Sequence, residues 1–329
     1  MTSLVERPAV RRAGVLVLQN LAVAACYYAG GRLGLLKALV VEGAVVSPIW
    51  PPTGIALAAL LLLGPQIWPG IALGALLIVE HISHPLQPSA IGILVGNTIA
   101  PLCAYALLRA VRFRNELDRV RDGMALVFLG ALGGMLVSAT AGVGQLLARR
   151  QIHASDFWAV WSSWWAGDAL GVLVVTPVLL ILWYAHRPFG WGRWPEALAL
   201  AACTALVAPL AATSDLSLLF LAYPLLIWAA VRFQLTGAAL CALFVSVVTA
   251  IAAADGVGPF RGHSQLGVMI NLQAFNGSVA LTALLLGALV AEQRAMRLRV
   301  EQAVAELAEV VERLAPGGSA GQRRPPDGG

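Results

Sequence analysis

Asp168 is the residue whose type and place most clearly call for chemistry. It falls in Trp164-Trp165-Ala166-Gly167-Asp168, inside an apolar stretch running from 157 to 184. A carboxylate in such surroundings is costly and must meet a cation, hold its proton or be hydrogen-bonded. Other polar groups are set in similar apolar runs: Thr53 in Trp50-Pro51-Pro52-Thr53, Asn97 and Thr98, Gln145, and Asn271, Gln273 and Asn276. Two readings compete for them. They join neighbouring helices through hydrogen bonds worth about 0.6 to 2 kcal/mol each, or they converge on a ligand.

Other constellations are poorer. Glu80-His81-Ile82-Ser83-His84, with His153 and His263, offers metal donors, but Pro85 breaks any helix that would align them. Cys26, Cys103, Cys203 and Cys241 each sit in an apolar stretch without disulfide or zinc spacing, and read as small core residues. The sequence contains no phosphate-binding loop, nucleophile elbow, kinase motif or zincin motif. No cofactor and no enzyme active site are expected.

The elements that must position these residues are membrane helices. Of the 329 residues 59% are hydrophobic and 12% charged, and the mean hydropathy is +0.79. That leaves too little polar surface to cover a water-soluble globule. The net charge of +5 therefore speaks to membrane sidedness rather than to nucleic acid, which is not expected as a partner. Continuous rather than alternating apolar runs argue against a β-barrel. The fold class is all-α, a polytopic transmembrane bundle of eight to ten spans with a short cytoplasmic C-terminal helix.

Segmenting by a length of about 20 apolar residues per span gives ten candidates, near 14–33, 45–63, 67–81, 89–110, 122–148, 157–184, 195–212, 216–231, 236–254 and 265–291. Gly64-Pro65-Gln66 alone separates the second from the third, and Thr213-Ser214-Asp215 the seventh from the eighth. Either pair is open to a re-entrant reading that lowers the count to eight. The first span, despite Val23-Ala24-Ala25-Cys26, is expected to be retained rather than cleaved as a signal peptide.

With a cytoplasmic N-terminus, ten spans put 17 of 22 Lys and Arg inside and leave Arg32, Lys37, Arg149, Arg150 and Arg261 outside. The positive-inside rule then makes both termini cytoplasmic. The organisation expected is a basic N-terminus over 1–13, a transmembrane domain over 14–291, a connecting helix over 292–314 and a disordered tail over 315–329. In the connecting helix Val300, Val304, Leu307, Val311 and Leu314 recur at steps of four and three. That is a short coiled-coil seam, open to a homodimer, or an amphipathic face for a partner or the membrane.

Placed on these spans, the polar residues gather in the outer half of the membrane. Asp168 stands about eleven residues into the sixth span, roughly 16 Å along it at about 1.5 Å per residue. The sharper expectation is an outward-facing pocket built from Trp50, Pro51, Thr53, Asn97, Thr98, Trp164, Trp165, Asp168, Gln273 and Asn276.

Several strings in order resemble the first family of bacterial membrane-associated sensor domains, the MASE type. They are Trp50-Pro51-Pro52-Thr53-Gly54, Gly64 with Trp68-Pro69-Gly70 and Gly74, Gly96-Asn97-Thr98, and Trp164, Trp165, Gly167, Asp168, Gly171 and Pro177. Pro224 and Trp228 with Arg232-Phe233, Gly258-Pro259-Phe260 and Leu272-Gln273 follow. The resemblance implies a sensory input module of the bacterial inner membrane, usually fused to a histidine kinase or a cyclic di-GMP enzyme. It implies a small ligand or a neighbouring membrane protein as signal, and a cytoplasmic kinase or cyclase as output partner. This sequence stops after the connecting helix, so the output domain is expected to be separate or missing. A small-solute permease and a structural membrane scaffold are the competing readings; the first requires a polar path to the cytoplasmic side, where the spans are almost wholly apolar.

Overall fold

Residues 6–82, 90–184 and 193–314 of the chain are described in a computed structural model. The all-α bundle expected from the sequence is what forms. Helix α1 spans Glu6–Leu35 and leads into a two-stranded hairpin, β1 (Leu39–Val41) and β2 (Ala44–Val46). Then come α2 (Pro51–Leu63), α3 (Trp68–Ile82), α4 (Ala90–Ala110), α5 (Val120–Ala125), a π-helical segment (Leu126–Gly133) and α6 (Leu136–Ala148). The chain continues through α7 (Phe157–Tyr184), α8 (Trp194–Thr213), α9 (Ala222–Ala254) and α10 (Gln265–Leu314).

The hairpin is an addition to the expected architecture. Glu42 and Gly43, at φ 46° and 80°, form a tight turn whose central residues both need positive φ. Leu39 faces Val46 and Val41 faces Ala44. These four are buried while Val40 and Val45 are exposed, a period of two that seats the hairpin on the bundle end. It consumes residues assigned to the second span, so α2 starts at Pro51 rather than 45. Pro51 and Pro52 fit its first turn because an N–H there has no helical acceptor. Helix α1 begins at Glu6, ahead of the expected span. One expectation is corrected: Cys26 and Cys203 lie exposed on the bundle's surface rather than in its core. The tail over 315–329 lies outside the described residues.

Small residues set the closest packing. The Asn20 side chain accepts a hydrogen bond from Gly70 N at 2.7 Å, and Gly74 meets Ala24 and Tyr27. The rising numbers on both helices make α1 and α3 parallel, with α2 antiparallel to both. Gly54 packs on Gly171, and Thr176 Oγ1 donates to Gly54 O at 3.1 Å, which ties α2 alongside α7.

Helix α9 makes two passes. At Gln234 the backbone is non-helical, with φ 56° and ψ −145°. Before it, Tyr223 contacts Ser278 and the Val231 carbonyl accepts from Arg294, so residues 222–233 run parallel to α10. After it, Leu235 touches Gly287 and Thr249 bonds Asn276, so residues 235–254 run antiparallel. Among the described residues eight helices are long and apolar enough to cross a membrane. Counting α2, a shorter apolar helix of 13 residues, and both arms of α9 separately gives ten apolar segments.

The two ends are distinct. Asn115 donates to Leu61 O at 2.9 Å, Glu196 pairs with Arg232, and Glu292 accepts from Val120 N at 3.1 Å. All of these belong to segments assigned to the cytoplasmic side. Lys37–Asp255 at 2.5 Å and Arg261–Asp215 at 3.3 Å join segments assigned to the outer side. Helix α10, about 75 Å long for its 50 residues, leaves the first of these ends. Beyond the contacts of Glu292 and Arg294, its Val300, Val304, Leu307 and Val311 are exposed.

Candidate functional site

Asp168 sits on α7 next to Gly167, where the segment after β2 meets the helix, and is 2% exposed. Its surroundings follow from two bare glycines. Gly167 lets the Ser47 carbonyl lie where a Cβ would be, only 2.3 Å from it, and Gly171 does the same for the Trp50 carbonyl. The segment after β2 therefore settles directly onto α7, and Trp50 N donates to Gly167 O at 3.0 Å. Thr53 Oγ1 reaches both Trp50 O (2.8 Å) and Asp168 O (2.9 Å), fixing the start of α2 to the backbone that carries the carboxylate.

Ser138 of α6 is the hub of the polar cluster. Its hydroxyl donates to Asp168 Oδ2 at 2.5 Å and also faces Asn97 Oδ1 of α4 at 3.2 Å. Trp164 Nε1 donates to Ser138 Oγ at 3.3 Å. One hydroxyl hydrogen is thus shared between two acceptors, and three helices converge on one oxygen. Among the described residues no ion pair involves Asp168, so its partners are neutral.

Above this cluster opens a cavity of roughly 240 Å³. Asp168, Asn97 and Trp164 line it together with Trp50, the hairpin from Gly43 to Ser47, and apolar side chains of α3, α4 and α6. On the side of Asp168 away from the hairpin the interior is filled by a packed apolar cluster that includes Leu57, Leu61, Leu108, Leu126, Leu173 and Leu180. The cavity therefore lies at the hairpin end of the bundle and has an apolar floor.

The MASE1 family model matches residues 19–294, most of the chain. The chain belongs to the MASE1 family. No curated protein and no solved structure matches it. MASE1 is a family of membrane-associated sensor domains, and with its apolar helices this chain is a multi-pass membrane sensor domain. The MASE1 match ends at Arg294, two residues after Glu292, where α10 leaves the bundle.

Within the MASE1 region the ten singled-out residues divide. Trp50, Asn97, Trp164 and Asp168 line one cavity. Thr53 lies behind it as a brace, and Pro51 packs against Gly30 and Gly34 of α1. Thr98 Oγ1 donates to Leu94 O at 2.8 Å in its own helix, and Trp165 Nε1 donates to Leu132 O at 2.8 Å in the π-helical segment. Gln273 Nε2 donates to Pro48 O at 3.0 Å, joining α10 to the segment after the hairpin, while its Oε1 is buried without a partner. Asn276 Oδ1 accepts from Thr249 Oγ1 at 2.8 Å, which makes it an α9–α10 contact away from the cavity. Ser138 and the hairpin are the site elements that sequence reasoning missed. Of the metal donors considered, Ser83 and His84 lie outside the described residues.

Proposed function

We propose that this chain is a sensory input domain of the bacterial inner membrane, detecting a small ligand in the cavity around Asp168 and passing the signal through α10 to an output domain. The observation that carries the reading is the shape of the site: a carboxylate at the bottom of an outward cavity whose floor is packed leucine. A transport path would need polar groups below Asp168, where Leu57, Leu61 and Leu126 fill the space.

The route from cavity to output runs through the hairpin. Gly43 to Ser47 line the cavity. The same hairpin packs Leu39, Val41 and Val46 into one buried cluster with Val268, Met269 and Leu272 of α10, and Gln273 donates to Pro48 O. A ligand that shifts the hairpin therefore pushes on the outer end of the helix that emerges as the exposed stripe Val300 to Val311 at the other end. That stripe is the docking face for an output kinase, a cyclase or a second copy of the chain.

Filling the cavity tests the reading. In residues 1–314 fused to a diguanylate cyclase domain lacking its own sensor, Ala90→Phe places a ring in the cavity that Ala90 lines. Cyclic di-GMP output should become independent of growth condition, whereas parent-like switching would refute the proposal.

A further inference from the structure

We propose that the cavity takes a small organic cation, an ammonium group carried on a short apolar body. This rests on the reading of the cavity as a ligand site and adds the chemical class of the ligand.

The first ground is charge. Among the described residues Asp168 is the one ionisable side chain lining the cavity, and no described Lys, Arg or His lines it. Arg149 and Arg150 precede the lining residue Gln151, but neither contributes to the wall. An anionic ligand would meet a carboxylate with no compensating cation, whereas a cation supplies the partner that the fold omits.

The second ground is the count of hydrogens. Ser138 has one hydrogen for two acceptors, Asp168 Oδ2 and Asn97 Oδ1, and its own oxygen already accepts from Trp164 Nε1. Ser138 therefore cannot serve both acceptors fully, and the carboxylate keeps acceptor capacity that a ligand N–H can fill. An ammonium group brings up to three N–H donors and needs no acceptor of its own in the site. A sugar or other polyol would require many paired donors and acceptors. The Ser47 hydroxyl is already committed to Gly34 O and Ile49 O.

The walls complete the match. Trp50 and Trp164 stand beside the carboxylate, and indole faces attract cations more strongly than other aromatic rings do. Ile78, Val79, Ile82 and Ile93 line the space above, suited to a few methylene groups. The volume of roughly 240 Å³ limits the body to a small one.

The test uses the full chain purified in detergent and follows thermal unfolding by its intrinsic tryptophan fluorescence. Butylammonium, 1-butanol and butyrate are titrated separately, since they differ in charge but hardly in shape. Butylammonium should raise the unfolding midpoint saturably, at a concentration about tenfold or more below that needed for butanol, as a charged hydrogen bond predicts; butyrate should give no shift. Asp168→Asn should remove the advantage of the cation. Equal effects of butanol and butylammonium, stabilisation by butyrate, or no shift across the ethyl to hexyl ammonium series would overturn the assignment. Because the three probes are compared on the unaltered chain, the decision stands even if the variant fails to fold. Should the amines fail while reporter output still depends on Asp168, sensing stands with another ligand class. Loss of that dependence removes the sensing reading itself.

Discussion

The Trp50 carbonyl oxygen lies over Gly171 so closely that a Cβ on residue 171 would be 1.9 Å from it. No side chain fits there without moving α2 away from α7. Gly171→Ala should therefore destabilise the bundle by about 1 to 3 kcal/mol or more and disturb the cavity together with the fold. Thermal unfolding of the purified variant measures the first effect; a melting temperature equal to the parent's would mean that α2 is not held as described.

Sidedness is testable in whole cells. In a background without its four cysteines, Glu116→Cys should be shielded from impermeant thiol reagents and Ser264→Cys should react. Glu116 suits the first probe better than its neighbour Asn115, whose amide is committed to Leu61 O. Reaction of both from outside would remove the ten-pass arrangement and the outward direction of the cavity.

The Ser138 hydroxyl joins α4, α6 and α7. Ser138→Ala takes the hydroxyl donor from buried Asp168 Oδ2 and Asn97 Oδ1. Such orphaned groups cost about 1 to 3 kcal/mol, so unfolding should occur earlier even though only one oxygen is lost. A neutral effect would mean that the cluster is not a connected unit.

Much of this arrangement was legible in the sequence, for physical reasons that also set the limit. In a bilayer, apolar length and charge breaks fix where helices lie, and the break before Gln234 separates the eighth and ninth spans as the backbone does. Depth along a helix is readable from residue number, which brought Asp168 and Asn97 together correctly. Azimuth is not. Gln273 and Asn276 share a depth range with Asp168, yet one turns to Pro48 and the other to Thr249. Ser138 was overlooked because a serine in a membrane helix commonly bonds its own backbone, as Thr98 does here. The hairpin escaped because two strands of three residues between long apolar runs are too short to impose a visible period of two.

The exposed stripe on α10 predicts phase dependence. Each residue inserted after Ala291 turns the emerging helix by about 100°, so insertions of one to four residues in the cyclase fusion should alternately raise and lower output. Leu307→Glu in the native chain should weaken whatever contact that stripe makes, seen as loss of copurifying protein or of self-association. Output indifferent to every insertion would make the helix a passive tail.

On this reading the carboxylate at the cavity's base governs the helix that emerges at the opposite end. Cyclic di-GMP output of the 1–314 cyclase fusion, compared between fresh and spent medium for the parent and for Asp168→Asn, tests it most directly. The substitution keeps the side chain's shape, so the variant should match the parent in membrane abundance and melting temperature. The parent should switch and the variant should hold one constant output. Parent-like switching in a folded Asp168→Asn fusion would contradict it.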